Sequence, residues 1–289
     1  MPLISVVKFV NWITGTPTTF EDGLVAALTA PLPSNLGTTL ANIGIGLNFN
    51  CRLGVSGTAL LLSPYNGNVI FVNGAPQSIP SSGVTLAATG LISGTFYYVY
   101  AFMSGTTMTL EASTTAPATH ALGYKQKTGD ATRTLVGAAL VQSGPIFVDS
   151  SGSRFVMSWY NRRTKLSSTI FQINRAVNTA SLTEVNTEIR SFFINWAEED
   201  VYVSFNASIA ATLAANWTVA ATLDAGATVI CQSIQAVSAG LNSSAAGDTS
   251  VLGSGLTETA SHFITMANAS GSTITYLSLF CQINVQVNS

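Results

Sequence analysis

Apolar and polar residues alternate along most of this chain in short runs broken by Gly, Pro, Asn, Asp and Ser, the pattern of half-buried strands joined by turns. The runs at 45–53, 59–62, 68–72, 84–87, 95–103 and 107–112 predict an antiparallel domain. Within it, 96–103 reads Phe-Tyr-Tyr-Val-Tyr-Ala-Phe-Met, so continuously apolar that it predicts a central strand covered on both faces. Residues 134–141 form a further strand. In the next one Phe155, Met157 and Trp159 fall on one face and Val156, Ser158 and Tyr160 on the other. Between the two, 142–152 carries Ser-Gly-Pro and Asp-Ser-Ser-Gly. Gly accepts positive φ, and Asp and Ser bond nearby backbone, so a hairpin-type return is expected.

Downstream the phase is ambiguous at one place. Leu182, Val185, Ile189, Phe192, Phe193 and Trp196 have helical spacing behind a Ser181–Glu184 capping box, while Val185, Thr187, Ile189, Ser191 and Phe193 fit a strand. The strand is preferred because the downstream residues alternate by twos, beginning with Val201, Val203, Phe205, Ala207 and Ile209. Further strands are predicted at 216–223, 229–237, 262–266 and 273–287. In the last, Thr275, Leu277, Leu279, Cys281, Ile283, Val285 and Val287 share a face. So many strands in so short a stretch predict a jelly roll or related sandwich. The first 45 residues differ. An apolar run at 4–10 and a short helix at 20–30, capped by Thr19 with Glu21 and Asp22 in its first turn, have no core of their own. The chain is thus expected to be all-β, with an anchoring arm at 1–45, an antiparallel domain at 46–165 and a jelly-roll-like sandwich at 166–289.

Charge changes the picture. Only 8% of residues are charged, against about 25% in ordinary domains, and 47% are hydrophobic. Hydroxyls and amides must carry solubility, and a surface so poor in ions associates readily, which predicts an obligate assembly. Nine of the 11 Lys and Arg lie between Lys125 and Arg190, and none follows Arg190. Arg162, Arg163 and Lys165 form a cationic step at the expected domain boundary, read either as a solvated linker or as an interdomain or intersubunit contact. With a net charge of −2 and a C-terminal zone holding Glu198, Glu199, Asp200, Asp224, Asp248 and Glu258 without a cation, nucleic acid is not an expected partner. The N-terminal MPLISVVKFVNWITG lacks the marks of a secretory signal, and no run approaches the roughly 18 apolar residues that span a bilayer. Synthesis in a cytoplasm and no membrane insertion are expected.

Chemistry adds little. Cys51, Cys231 and Cys281 fit no zinc spacing; buried thiols are expected, with a Cys231–Cys281 bridge open should their strands be neighbours. His120 and His262 are the only histidines, and no G-x-S-x-G elbow, phosphate loop or dinucleotide fingerprint occurs. Glu198-Glu199-Asp200 reads as a turn between Trp196 and the strand at Val201, rather than as a calcium loop or the carboxylates of a glycosidase. No catalytic residue, metal or cofactor is expected, and the chain is read as non-enzymatic. A carbohydrate-binding adhesin is the alternative, with Trp217, Tyr276 or the Tyr97–Tyr100 run stacking on sugar.

The run KTGDATRTLVGAALV at 127–141, then FVDSSGSRFVMSWYNRR at 147–163, with TFYYVYA at 95–101 and LEAST at 110–114 upstream, resembles a segment of fibre and spike proteins of tailed bacteriophages and related particles. The last 120 residues are similar in style to the jelly-roll heads of such fibres. The resemblance implies a virion structural protein, usually a homotrimer. Its N-terminal part would attach to other virion proteins, and its distal part would meet a host-surface glycan or protein. It brings no catalytic residues.

Overall fold

A computed structural model describes residues 49–223, 228–237, 242–251, 260–269, 273–276 and 281–288. The chain parts into two units, Met1–Leu47 and Asn48–Ser289, and the described residues belong to the second. The arm and its helix at 20–30 therefore lie outside the described residues. What is described is all-β, with one short 3-10 turn at Thr187–Ile189.

The first half pairs as the alternation predicts. Phe96–Ser104 lies between Thr107–Ser113 and Asp130–Gln142, with Lys125–Lys127 and Pro117–Thr119 beyond. Val156–Ser158 also pairs with Asp130–Gln142, so the return expected at 142–152 is antiparallel. The Phe96–Ser104 strand is covered on both sides: Tyr97, Val99 and Ala101 join a core with the Cys51–Ser56, Ala59–Pro64 and Val69–Val72 strands, while Tyr100 joins a different cluster on the opposite face. Phe155 and Met157 sit in that second cluster with Trp159 packed against it, and Val156 and Tyr160 belong to the first.

The second half is a jelly roll. Take its principal strands in chain order: Thr164–Ile170, Arg190–Ile194, Val201–Ala211, Ala215–Leu223, Thr228–Val237, Asn242–Val251, Ala260–Ala269 and Gln282–Asn288. One sheet runs first, eighth, third, sixth, and the other second, seventh, fourth, fifth. This is the interleaved order of an eight-stranded double Greek key. Their inner faces enclose Val203, Phe205, Ile209, Phe193, Trp217, Val219, Ile283 and Val285.

Three departures from the sequence reading have physical causes. The helical spacing before Trp196 gives the 3-10 turn, capped where the Asn186 side chain accepts from the Glu188 N–H at 2.9 Å, and then the strand Arg190–Ile194. That strand is apolar on both faces, Phe193 entering the C-terminal core and Ile194 the middle cluster, which mimics a helical stripe. Asn242–Val251 was not expected to be a strand, because Asn-Ser-Ser-Ala-Ala-Gly-Asp-Thr-Ser-Val has no apolar alternation; its backbone pairs with Val201–Ala211 throughout. The expected last strand is divided into Ile274–Tyr276 and Gln282–Asn288. Ile209 faces Tyr276 and Phe205 faces Ile283, four residues on one strand against seven on the other. The odd difference reverses the parity, so Ile274, rather than Thr275, is buried on the side of Cys281.

Candidate functional site

The most chemically loaded region lies where the first-half sheets meet the jelly roll. Its base is the middle apolar cluster, in which Tyr100, Leu135, Ala138, Leu140, Phe155 and Met157 pack against Ile194 and Trp196. Trp196 donates its indole N–H to the Ser158 carbonyl at 3.1 Å and meets Trp159 edge to face, ring centroids 4.8 Å apart. The Arg162 guanidinium lies over Trp159 at 4.5 Å and Trp196 at 5.4 Å, and pairs with Glu199 and, at 2.9 Å, with Glu198. Glu198 and Glu199 occupy a turn closed by the Glu199 N–H donating to the Trp196 carbonyl at 3.0 Å. A planar cation between two rings and two carboxylates is held by stacking and charge together.

Lys165 corrects the solvated reading of the cationic step. It is 8% exposed, because Thr164–Ile170 alternates out and in from its first residue and sends Lys165 and Ser167 inward. Its ammonium donates to Asp149 Oδ2 at 2.7 Å and to the Val156 carbonyl at 3.1 Å. Burial pulls the Lys165 pKa below its ordinary value, and Arg163 and Arg154 add to that, while Asp149 opposes it. Arg154 shares Asp149 at 3.5 Å and donates to the Leu166 carbonyl at 2.8 Å.

Beside this buried group opens a cleft of about 190 Å³ on the hairpin of Cys51–Ser56 and Ala59–Pro64. Arg52, Tyr65, Arg163 and Lys165 line it. The hairpin points Cys51 and Leu53 inward and leaves Arg52 outward, across from Ser63. Arg52 lies 3.8 Å from the Tyr65 ring centroid and donates from Nε to the Asn161 carbonyl at 3.0 Å. Asn161 is itself held at φ 51, and its amide donates to the Phe49 and Cys51 carbonyls at 2.8 and 2.9 Å. Arg163 is exposed.

Of the expected site residues, Arg162, Arg163 and Lys165 thus fall in one neighbourhood. Trp217 does not serve as expected: it is 1% exposed in the jelly-roll core, and a ring so enclosed has no face for a sugar. Tyr97 and Tyr100 are buried as well. The backbone of Tyr276 pairs with Arg175 and Ile209, and the expectation for its ring lies outside the described residues. Among the described residues no disulfide forms, and Cys281 exchanges hydrogen bonds with the Ser208 backbone at 3.2 Å. His120 accepts from the Leu122 N–H at 3.0 Å and stacks on Tyr124, a turn-closing role. Among the described residues no group of three His, Cys, Asp or Glu converges. Arg52, Tyr65, Asp149 and Asn161 were not singled out from sequence. One signal was available, since Arg52 is the only Lys or Arg between Lys8 and Lys125.

No protein-family model matches the chain, and no curated protein does. Among solved structures it is similar to a protein of the T13 particle of infectious bursal disease virus, at 8% identity and a TM-score of 0.31 over 69% of this chain and 51% of that one. The VP2 subviral particle of the same virus matches at 11% identity and a TM-score of 0.31, over 83% and 70%. The insecticidal delta-endotoxin Cry8Ea1 of Bacillus thuringiensis matches at 9% and 0.29, over 87% and 55%. The chain spans about half the length of the first of these.

Proposed function

We propose that this chain is a structural subunit of a virus particle, built to pack against copies of itself and other virion proteins. What carries the reading is where the charge goes. In a chain with 8% charged residues, seven of the described cations are taken up by carboxylates of the same chain, leaving a surface of hydroxyls, amides and exposed apolar side chains such as Ile173, Leu213, Val229 and Ile234. Such a surface favours association over solvation. The jelly-roll order supports it by analogy, since that architecture serves capsids as well as lectins.

The finer reading is a fibre, spike or decoration subunit of a tailed phage or phage-like particle. It is trimeric, anchored through residues 1–45, and its jelly roll is directed at the host surface. The adhesin alternative loses its principal anchor with Trp217 in the core. Sedimentation velocity across micromolar concentrations tests the assembly. A discrete oligomer is expected, and a monomer at every concentration overturns the proposal.

A further inference from the structure

Eleven Lys and Arg occur in the chain, and one of them, Lys8, lies outside the described residues. Of the other ten, Lys127, Arg133, Arg154, Arg162, Lys165, Arg175 and Arg190 pair with carboxylates. That leaves Arg52, Lys125 and Arg163 without an ion pair among the described residues, and Lys125 donates to Thr119 Oγ1 at 3.1 Å. The two remaining arginines line the same cleft. A chain this sparing of charge has left two guanidiniums unpaired in one place.

We infer that this cleft receives a carboxylate from an acidic segment of a second copy of the chain. The inference rests on the assembly reading above and names the contact that makes the assembly. Arg52 is pre-oriented: stacking on Tyr65 and donation to the Asn161 carbonyl fix its plane, leaving its terminal N–H groups for a ligand. Planar N–H pairs match a carboxylate's two oxygens, and a site whose side chain is already immobilised loses less entropy on binding. Size and charge select the occupant. At about 190 Å³ the cleft is smaller than the roughly 300–1,000 Å³ of pockets for drug-sized ligands. One face of the Tyr65 ring, which could otherwise stack on a sugar, is covered by Arg52.

The chain carries the complement itself. Beyond Arg190 it has six carboxylates and no cation: Arg162 takes up Glu198 and Glu199, Asp200 beside them has a contact of its own, and three lie further along the chain. Asp224, Asp248 and Glu258 belong to the jelly-roll half of the sequence, Asp248 on a strand opposite Ser204. In the proposed trimer this contact is heterologous, each cleft taking a carboxylate of the next copy around a closed ring.

The test uses the full chain and three variants, each checked for native circular dichroism and melting. One reverses the cleft, Arg52→Glu with Arg163→Glu; the second reverses the acids, Asp224→Lys, Asp248→Lys and Glu258→Lys; the third carries all five substitutions in one chain, which restores the complement at every contact of a ring of any size. By sedimentation velocity each of the first two should associate at least about tenfold more weakly than the unmodified chain, and the third should recover to within about threefold. A reversed cleft that assembles like the unmodified chain overturns the inference and leaves the assembly reading standing, as does a folded third variant that fails to recover. An unmodified chain that stays monomeric overturns the assembly reading itself. Should reversal disturb folding, Arg52→Gln with Arg163→Gln must abolish the salt dependence of association; retained dependence counts against the cleft. Glucuronate binding that is lost in the reversed cleft with association unchanged would assign the cleft to a glycan instead and overturn the inference.

Discussion

At the scale of single residues, the chain spends its few special positions on close approach and on charge pairing. Gly137 lies in Asp130–Gln142 where the register against Phe96–Ser104 shifts, opposite Ser158. A Cβ there would run into the Met157 carbonyl oxygen and the Leu53 side chain. Gly137→Ala is therefore expected to cost roughly 1–3 kcal/mol in urea unfolding. Glu111 shows the other use. Burial pushes its pKa up, but hydrogen bonds and charge from Lys127 and Arg133 outweigh that and hold it below the usual 4.5. A carboxyl with a depressed folded pKa contributes stability that is present above its unfolded value and lost as pH falls through the folded one. The melting temperature should thus fall as pH drops below about 4.5, and Glu111→Gln should start lower and show a shallower fall over the same range. These roles were hard to read in advance, because partners such as Glu111 and Arg133, 22 positions apart, are joined by strand pairing rather than by spacing.

At the scale of elements, the legible strands were those whose two faces differ. Phe155 to Tyr160 could be sorted residue by residue because one side meets the middle cluster and the other the first core. Arg190–Ile194 was ambiguous because both its faces are buried, and Asn242–Val251 went unseen because its side chains are small and polar and its place depends on backbone pairing. The cleft was hidden for a related reason: Arg52 and Arg163 meet only once the hairpin at Cys51–Ser56 is folded against the start of the jelly roll. Among the described residues Thr228–Val237 ends its sheet, and it exposes Val229 and Ile234. Terminal strands that show apolar side chains invite pairing with other chains, and lysines there suppress it. Val229→Lys with Ile234→Lys should lower light scattering at high concentration while leaving the melting temperature within about 2 °C, since surface changes of this kind alter stability by less than about 0.5 kcal/mol. A large drop in melting temperature would mean that the strand is packed rather than open.

At the scale of the whole molecule, the two halves are woven together. Asp149–Ser150 and Ser153–Arg154 leave the first half to extend the jelly-roll sheet through a parallel pairing with Arg190–Ile194. Val156–Ser158 returns to Asp130–Gln142, and Thr164–Ile170, running across Lys165, enters the jelly roll again. The middle cluster draws Trp196 from one half and Phe155, Met157 and Leu140 from the other. A fragment of residues 166–289 would expose Ile194 and Trp196 and lose the start of its first strand. Expressed alone, it should fail to give a cooperative melt or near-ultraviolet circular dichroism, whereas a well-behaved fragment would mean the cluster contributes little.

That weave bears on inheritance. A genetic crossover that exchanges the jelly-roll half between related chains keeps both parents' packing only if 149–165 travels with it and the new partner supplies matching rings beneath Trp196. Diversity among such chains is then expected to accumulate by substitution in the turns of the jelly roll, more than by trading whole halves.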